Sequence, residues 1–324
     1  LSAARPSPEG DRRAELLATA DALRPELHRY CARLMGSVID GEDVVQDTLL
    51  RAFAALQDFG EQDLENPPPL RPWLFRIAHN RALDLLRGRA LRMTEPIDAA
   101  SDVVDQASPD PMEMLMRQEA VKTAVSRFAE LPTAQRSVVI LKDVLDEQLA
   151  EIAALLDLSV DAVKGHLARG RARLRQINAQ AGSLPDARPA SAAVARYVAL
   201  FNRRDWEGLR ALLADDVKLV QSKYPIRIGS ADVGMFFSIY ASYAKTDDLW
   251  LAPAWLEGRE VIAVFEDRAD LKPSYVMWLE WRDGRISFIR DYRYVRYVTA
   301  DAELALVPGG GAFDVKPAGD GDER

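Results

Sequence analysis

The chain carries 324 residues, more than one small core absorbs, so two or three domains are expected. Its 48% hydrophobic and 28% charged content excludes a disordered or collagen-like chain, and no apolar run is long enough to span a bilayer. The net charge of −8 excludes indiscriminate binding to nucleic acid and leaves that role to local basic surfaces.

Residues 1–12 read as a loose tail without the apolar core of a signal peptide. A helical pattern runs from Arg13 to Leu56 with a pause at Gly36–Gly41. Within Gly41–Leu56, Val44, Val45, Leu49, Ala52, Phe53 and Leu56 form an apolar face, and Glu42, Asp43, Gln46, Asp47 and Arg51 form a polar one that reads as solvated. The single cysteine, Cys31, sits in the apolar pattern and builds neither a disulfide framework nor a zinc site; a reducing cytoplasm is the simple inference. Asp58–Arg71 is a loop stiffened by Pro67, Pro68 and Pro69.

Arg71–Arg92 is a helix with six arginines against Asp84, a sum of +5 with His79 neutral, interleaved with Trp73, Phe75, Ile77, Leu83 and Leu86. Residues 94–111 are acidic and proline-containing and read as a flexible linker. Helices resume at Met112–Leu131 and Ala134–Leu145. In Leu149–Arg175, Ile152, Leu155 and Leu156 form one helical face, and Val160, Val163, Leu167 and Leu174 a second. Asp157-Leu158-Ser159 breaks the two, with Ser159 placed as an N-cap, and the pair reads as a helix-turn-helix. From Lys164 to Arg175 there is no acid, so the second helix suits a phosphate-lined groove, or else is the solvated face of a helical hairpin.

Residues 179–190 form a second linker. Beyond it, Ser191–Arg203 and Trp206–Leu213 read as helices, and VKLVQS, LWLAPAWLE, EVIAVFED, SYVMWLEWR and RISFIRDYRYVRYV read as strands, with a helix at Asp232–Ala244 between them. Asp283-Gly284 is a hairpin turn. The order is two all-α segments followed by an α+β segment. The three histidines, His28, His79 and His166, lack metal-ligand spacing, and no phosphate loop or nucleophile–base pair is seen, so no catalytic centre, metal or cofactor is expected.

GEDVVQDTLLRAF, RPWLFRIAHNRALDLLR and LPTAQRSVVILKDVLDEQLAEIAALLDLSVDAVKGHLARGRARLR together resemble the extracytoplasmic-function (ECF) sigma factors. The resemblance implies two small helical domains. Residues 13–93 would bind the RNA polymerase β′ clamp coiled coil and the promoter −10 element, and residues 112–178, with the helix-turn-helix, would bind the −35 element. It also implies residue roles. Asp43, Gln46, Asp47 and Arg51 would dock on polymerase. Arg76, His79, Asn80, Asp84 and Arg87 would meet the −10 element, with Phe59 stacking on a flipped base. Trp73 is either core or a base wedge. Ser159, Asp161, Lys164, Gly165, Arg169 and Arg171 would meet the −35 element. Of these, Lys164 and Arg169 suit phosphate contacts, and Asp161 suits either a cytosine amine or its own helix N-terminus. Asp146 and Asp157 stand where the family often has glycine, in turns that ask for positive φ.

Residues 191–300 resemble a SnoaL-like domain of the nuclear-transport-factor-2-like superfamily, which implies a cone of curved sheet, and residues 301–324 form a tail expected to be disordered from Pro308. Asp216 and Asp291 are the candidate pocket carboxylates, and Trp206, Phe236, Phe237, Trp255, Trp278 and Trp281 are either cavity lining or core. In fused ECF proteins such a domain regulates activity. The glycine-rich and WLPEP-type motifs of the best-known fused group are replaced here by QSKYPIRIG and SLPDARP. The reading is a cytoplasmic ECF sigma factor whose SnoaL-like domain contacts the sigma domains or their linker. The alternatives are a SnoaL-like cyclase or isomerase with a helical appendage, and a stand-alone helix-turn-helix regulator.

Overall fold

The computed structural model describes residues 8–60, 63–64, 66–93, 120, 123–180, 188–242, 248–267 and 269–308. It divides into two compact units, Leu1–Ser183 and Leu184–Arg324. The expected linker 94–111, half of the expected helix Met112–Leu131, residues 181–187 of the second linker and the tail 309–324 lie outside the described residues.

The first unit opens with α1 (Pro8–Ala22), α2 (Arg24–Met35), α3 (Val38–Gln57) and α4 (Leu70–Met93). The break between α2 and α3 is shorter than the expected Gly36–Gly41 pause. Gly36 closes α2 at φ 71°, and the Ser37 hydroxyl accepts from the Asp40 N–H at 3.2 Å to start α3. Gly41 lies inside α3, where a methyl would sit 2.5 Å from the Ala32 Cα, so it is a crossing point of α2 and α3 rather than a breaker. Further along come a 3₁₀ turn (Val125–Glu130), α5 (Thr133–Val139), a π-helical turn (Ile140–Val144), α6 (Leu149–Leu156) and α7 (Val160–Gln180). The expected helix 134–145 is thus split, and its widened last turn carries Asp143 inward to 1% exposure.

The described helices of both sigma segments close on one core. Nine of the twelve residues of α2 are buried, and a helix buried on nearly every side needs partners on two sides. Leu27, Tyr30 and Leu34 of α2 join a cluster that also holds Leu74 and Phe75 of α4 and Phe128, Val138 and Leu141. Arg136 rivets this seam. Its guanidinium donates to the carbonyls of Leu34 (2.6 Å), Ala129 (2.6 Å) and Leu131 (2.8 Å), and burial pulls its pKa down to about 10.

The second unit holds α8 (Ala192–Asn202), α9 (Trp206–Arg210), α10 (Ser230–Ser242) and one seven-stranded sheet. Its strands are β1 (Leu213–Gln221), β2 (Arg227–Ile228), β3 (Trp250–Leu256), β4 (Arg259–Phe265), β5 (Tyr275–Arg282), β6 (Arg285–Asp291) and β7 (Leu304–Leu306). They lie in the order β2-β1-β6-β5-β4-β3-β7, with β1 and β6 parallel and every other pair antiparallel. One face of the sheet, with Leu219, Ile262, Met277 and Ile289, packs with Tyr197, Phe201 and Phe237 of the helices. This is the expected α+β arrangement. Three details differ. RYVRYV leaves the strand after Asp291 and forms a 3₁₀ turn at Arg296–Thr299; β1 starts at Leu213, where a helix was expected to end; and part of the expected tail forms β7.

Candidate nucleic-acid interface

Four residues of α4 form a line at spacings of four, four and three: Arg76, Asn80, Asp84 and Arg87, all exposed. The helix is amphipathic in charge because three of its other arginines are spent on bracing. Arg71 is paired with Glu26 and Glu147, Arg81 with Asp47, and Arg89 with Asp40 at 2.9 Å. The +5 read from the sequence is therefore not a uniform basic surface. Asp84 and Arg87 lie 3.4 Å apart at the solvent end of the line. Arg76 donates to the Ala154 carbonyl at 3.1 Å, one of the C-terminal carbonyls of α6 that lack a partner within their own helix.

His79 departs from its expected place on this line. Its Nδ1 is 2.8 Å from the Tyr30 hydroxyl, and burial, with the Arg87 charge second, holds its pKa down at about 4. It is a neutral internal group. Phe59 is half-buried, its ring 6.2 Å from that of Trp73, which is itself half-buried and packs against the core. Arg13 donates to the Phe59 carbonyl at 3.0 Å and anchors the loop entry.

On α3, Asp43 and Arg51 are exposed, and Gln46 and Asp47 are half-buried. Glu42, expected on this solvated face, is fully buried and paired with Arg24 at 3.2 Å. Leu50, 60% exposed, lies among Asp43, Gln46 and Asp47 instead. A lone exposed leucine in a polar face carries no periodicity signal, so the sequence reading missed it.

The helix-turn-helix is built as expected. Glu151 accepts from the Gln148 N–H at 3.2 Å to start α6, and Ser159 accepts from the Ala162 N–H at 3.1 Å to start α7. Asp157 adopts φ 57° and Asp146 φ 63°, the conformations the turn positions ask for. Of the six expected contact residues, Ser159 and Asp161 are exposed and Lys164 is half-buried, 3.7 Å from Asp161. Gly165 is buried, since the Arg169 guanidinium folds back over it within 3.3 Å of where a Cβ would stand. Arg171 is an internal buttress: its Nε and Nη2 donate to the Asp143 carboxylate at 3.0 and 2.6 Å, and its side chain is 12% exposed. Val160, expected in the core, is exposed at the helix start. Arg175, absent from the expected set, is exposed on the line of Asp161, Lys164, Ala168 and Ala172. Gly170 sets the crossing of α7 on α5, because a methyl there would meet Val139 at 2.6 Å.

In the second unit, Asp216 is exposed and paired with Arg282. Asp291 is buried; its carboxylate accepts from Gln221 Nε2 at 2.7 Å and from the Arg293 N–H at 2.9 Å, and burial raises its pKa to about 6. The six aromatics do not share one cavity. Phe236 and Phe237 are core, with Trp206 and Trp281 packed on it, whereas Trp255 pairs with Arg188 and Trp278 with Arg259.

The Sigma-70 region 2 family matches residues 19–92, and the Sigma-70, region 4 family matches residues 121–174. ECF RNA polymerase sigma factor SigG of Mycobacterium tuberculosis is 34% identical over 227 residues, 62% of this chain and 60% of SigG. The chain thus spans somewhat less than two thirds of that relative. RNA polymerase sigma factor CnrH of Cupriavidus metallidurans is 35% identical over 142 residues, 42% of this chain and 71% of CnrH. Among solved structures, the M. tuberculosis extracytoplasmic function sigma factor SigJ aligns over 85% of this chain and 95% of its own, with 22% identity and a TM-score of 0.32. With both regions matched in order, and CnrH matched over most of its length, the chain belongs to the ECF family of RNA polymerase sigma factors.

Proposed function

We propose that this chain directs core RNA polymerase to specific promoters and starts transcription in the cytoplasm. The observation that carries the reading is a pair of helix lines on one helical unit, the exposed Arg76, Asn80, Asp84 and Arg87 on α4, and the exposed Asp161 and Arg175 with the half-buried Lys164 on α7. Each is small, so each binds DNA weakly, and binding counts only when polymerase holds both. The α3 face of Asp43, Gln46, Asp47, Leu50 and Arg51 is the proposed dock for the polymerase clamp, with Leu50 as its apolar centre. Arg76 supports a further point: its bond to Ala154 has to open before it reaches DNA, so the closed packing of the first unit holds down promoter binding by the chain alone.

The second unit is proposed to be SnoaL-like and regulatory, acting on the sigma segments or the linker 94–111. Its sheet order and helices support that class, and the two bonds to the Asp291 carboxylate support a structural rather than a catalytic role for it. The test is in vitro transcription with core polymerase and a promoter library. Promoter-specific transcripts are expected from the full chain, and Arg87→Glu removes them while polymerase binding persists. No specific transcript overturns the sigma reading. Equal activity and equal polymerase affinity for the full chain and a 1–183 fragment overturn the regulatory one.

A further inference from the structure

Two short loops of the second unit lie abreast. β1 and β6 run parallel with Gln221 opposite Asp291, and the Gln221–Asp291 hydrogen bond of 2.7 Å ties their C-terminal ends together. Each strand then enters a tight turn: the Tyr224 N–H donates to the Gln221 carbonyl at 3.2 Å, and the Val295 N–H to the Tyr292 carbonyl at 3.0 Å. The common register brings two like doublets together, Lys223-Tyr224 and Arg293-Tyr294. Their rings stand 4.5 Å apart, with Tyr224 51% and Tyr294 39% exposed. Exposed Ile226 and Ile228 continue the patch along β2, and Ile228 lies across from exposed Lys218.

Cations are grouped beside these rings. Residues 217–231 contain Lys218, Lys223 and Arg227 and no acid, and residues 292–300 contain Arg293 and Arg296 and no acid. Of the flanking carboxylates, Asp291 is buried and Asp216 is paired with Arg282. Asp232 and Glu266 accompany Arg227 and Arg296. In a chain of net charge −8 the two segments together carry five cations on loops that present exposed aromatic rings.

We propose that Lys218, Lys223, Tyr224, Arg293 and Tyr294 form a binding platform for single-stranded DNA. The rings offer stacking to bases that are already unpaired, and the cations follow the backbone phosphates. A duplex fits poorly, because its bases present no free face to a ring. The platform stands on the geometry of the second unit alone. It gives this unit a direct contact with nucleic acid, which the regulatory reading does not require.

The experiment uses the full chain without polymerase and an oligothymidine bearing 5-bromodeoxyuridine, read by anisotropy and by photo-crosslinking with peptide mapping. Crosslinks are expected within residues 218–228 and 292–297. The Tyr224→Ala/Tyr294→Ala variant is expected to bind about tenfold or more weakly, at an unchanged melting temperature, the loss of stacking on two exposed rings. Lys223→Ala is expected to lower the slope of log affinity against log salt by about 0.7, one phosphate contact on a single strand. Arg87→Ala in the first unit serves as the control, and its crosslinks at Tyr224 and Tyr294 are expected to persist. Affinity of the double-tyrosine variant within twofold of the parent, or crosslinks confined to the first unit, overturns the proposal. Displacement of the oligonucleotide from these loops by an acidic peptide of comparable charge at lower concentration overturns it as well, and marks a peptide dock. None of these outcomes touches the transcription assay, so the platform and the sigma reading fail separately.

Discussion

The Asp143–Arg171 pair separates a DNA contact from a structural buttress by a measurement. Asp143 is 1% exposed, and two charge-assisted hydrogen bonds of 3.0 and 2.6 Å reach it from Arg171. Arg171→Ala strands a buried carboxylate and is expected to cost about 3–5 kcal/mol. Asp143→Ala strands the guanidinium at a similar cost of about 3 kcal/mol, somewhat less because Arg171 retains a path to solvent. The double variant removes both charges, so it is expected to be about 2–4 kcal/mol more stable than the sum of the single losses. For a unit of this size each kcal/mol corresponds to roughly 2–4 °C, so either single change lowers the melting temperature by roughly 6–20 °C. The assay is a double-mutant cycle in urea with a thermal melt alongside. A stable Arg171→Ala protein, within about 0.5 kcal/mol of the parent, that loses binding to the −35 element refutes this reasoning and restores Arg171 as a DNA contact.

Three further outcomes follow from the same structure. Asp157 stands at φ 57° with an exposed side chain, so Asp157→Gly is expected to raise stability by about 0.5 kcal/mol and Asp157→Ala to lower it by about 1 kcal/mol in urea melts; the reverse order sinks the strain argument. His79 has its folded pKa at about 4, below the unfolded 6.5, so its contribution is whole above pH 6.5 and is lost as pH falls toward 4. Between pH 7 and 5 the parent is expected to lose about 2 kcal/mol more stability than His79→Gln, and parallel profiles of the two proteins contradict it. Leu50→Asp, on a site 60% exposed, is expected to leave the melting temperature within roughly 2 °C while weakening core polymerase binding about tenfold or more in a pull-down titration, and undiminished binding removes Leu50 from the dock.

The sequence by itself determined the local elements, because these rest on short-range physics. The apolar spacing of α3, the Ser159 cap, the aspartates in the αL turns and the alternating strands are all set by neighbours a few residues apart. The two sigma segments and their order were legible for the same reason. What only the tertiary structure decided is which charged side chains are spent inside. Arg71, Arg81, Arg89 and Arg171 look alike in sequence to Arg76, Arg87 and Arg175, and Glu42 looks like its neighbour Asp43. A partner 18 residues away buries Glu42, and one 28 residues away holds Arg171. Likewise, no local pattern shows that α2 serves one core for both helical segments, or that parallel strands 70 residues apart set Tyr224 beside Tyr294. Burial of a charge is governed by long-range pairing against desolvation, and that balance exists only once the chain has folded.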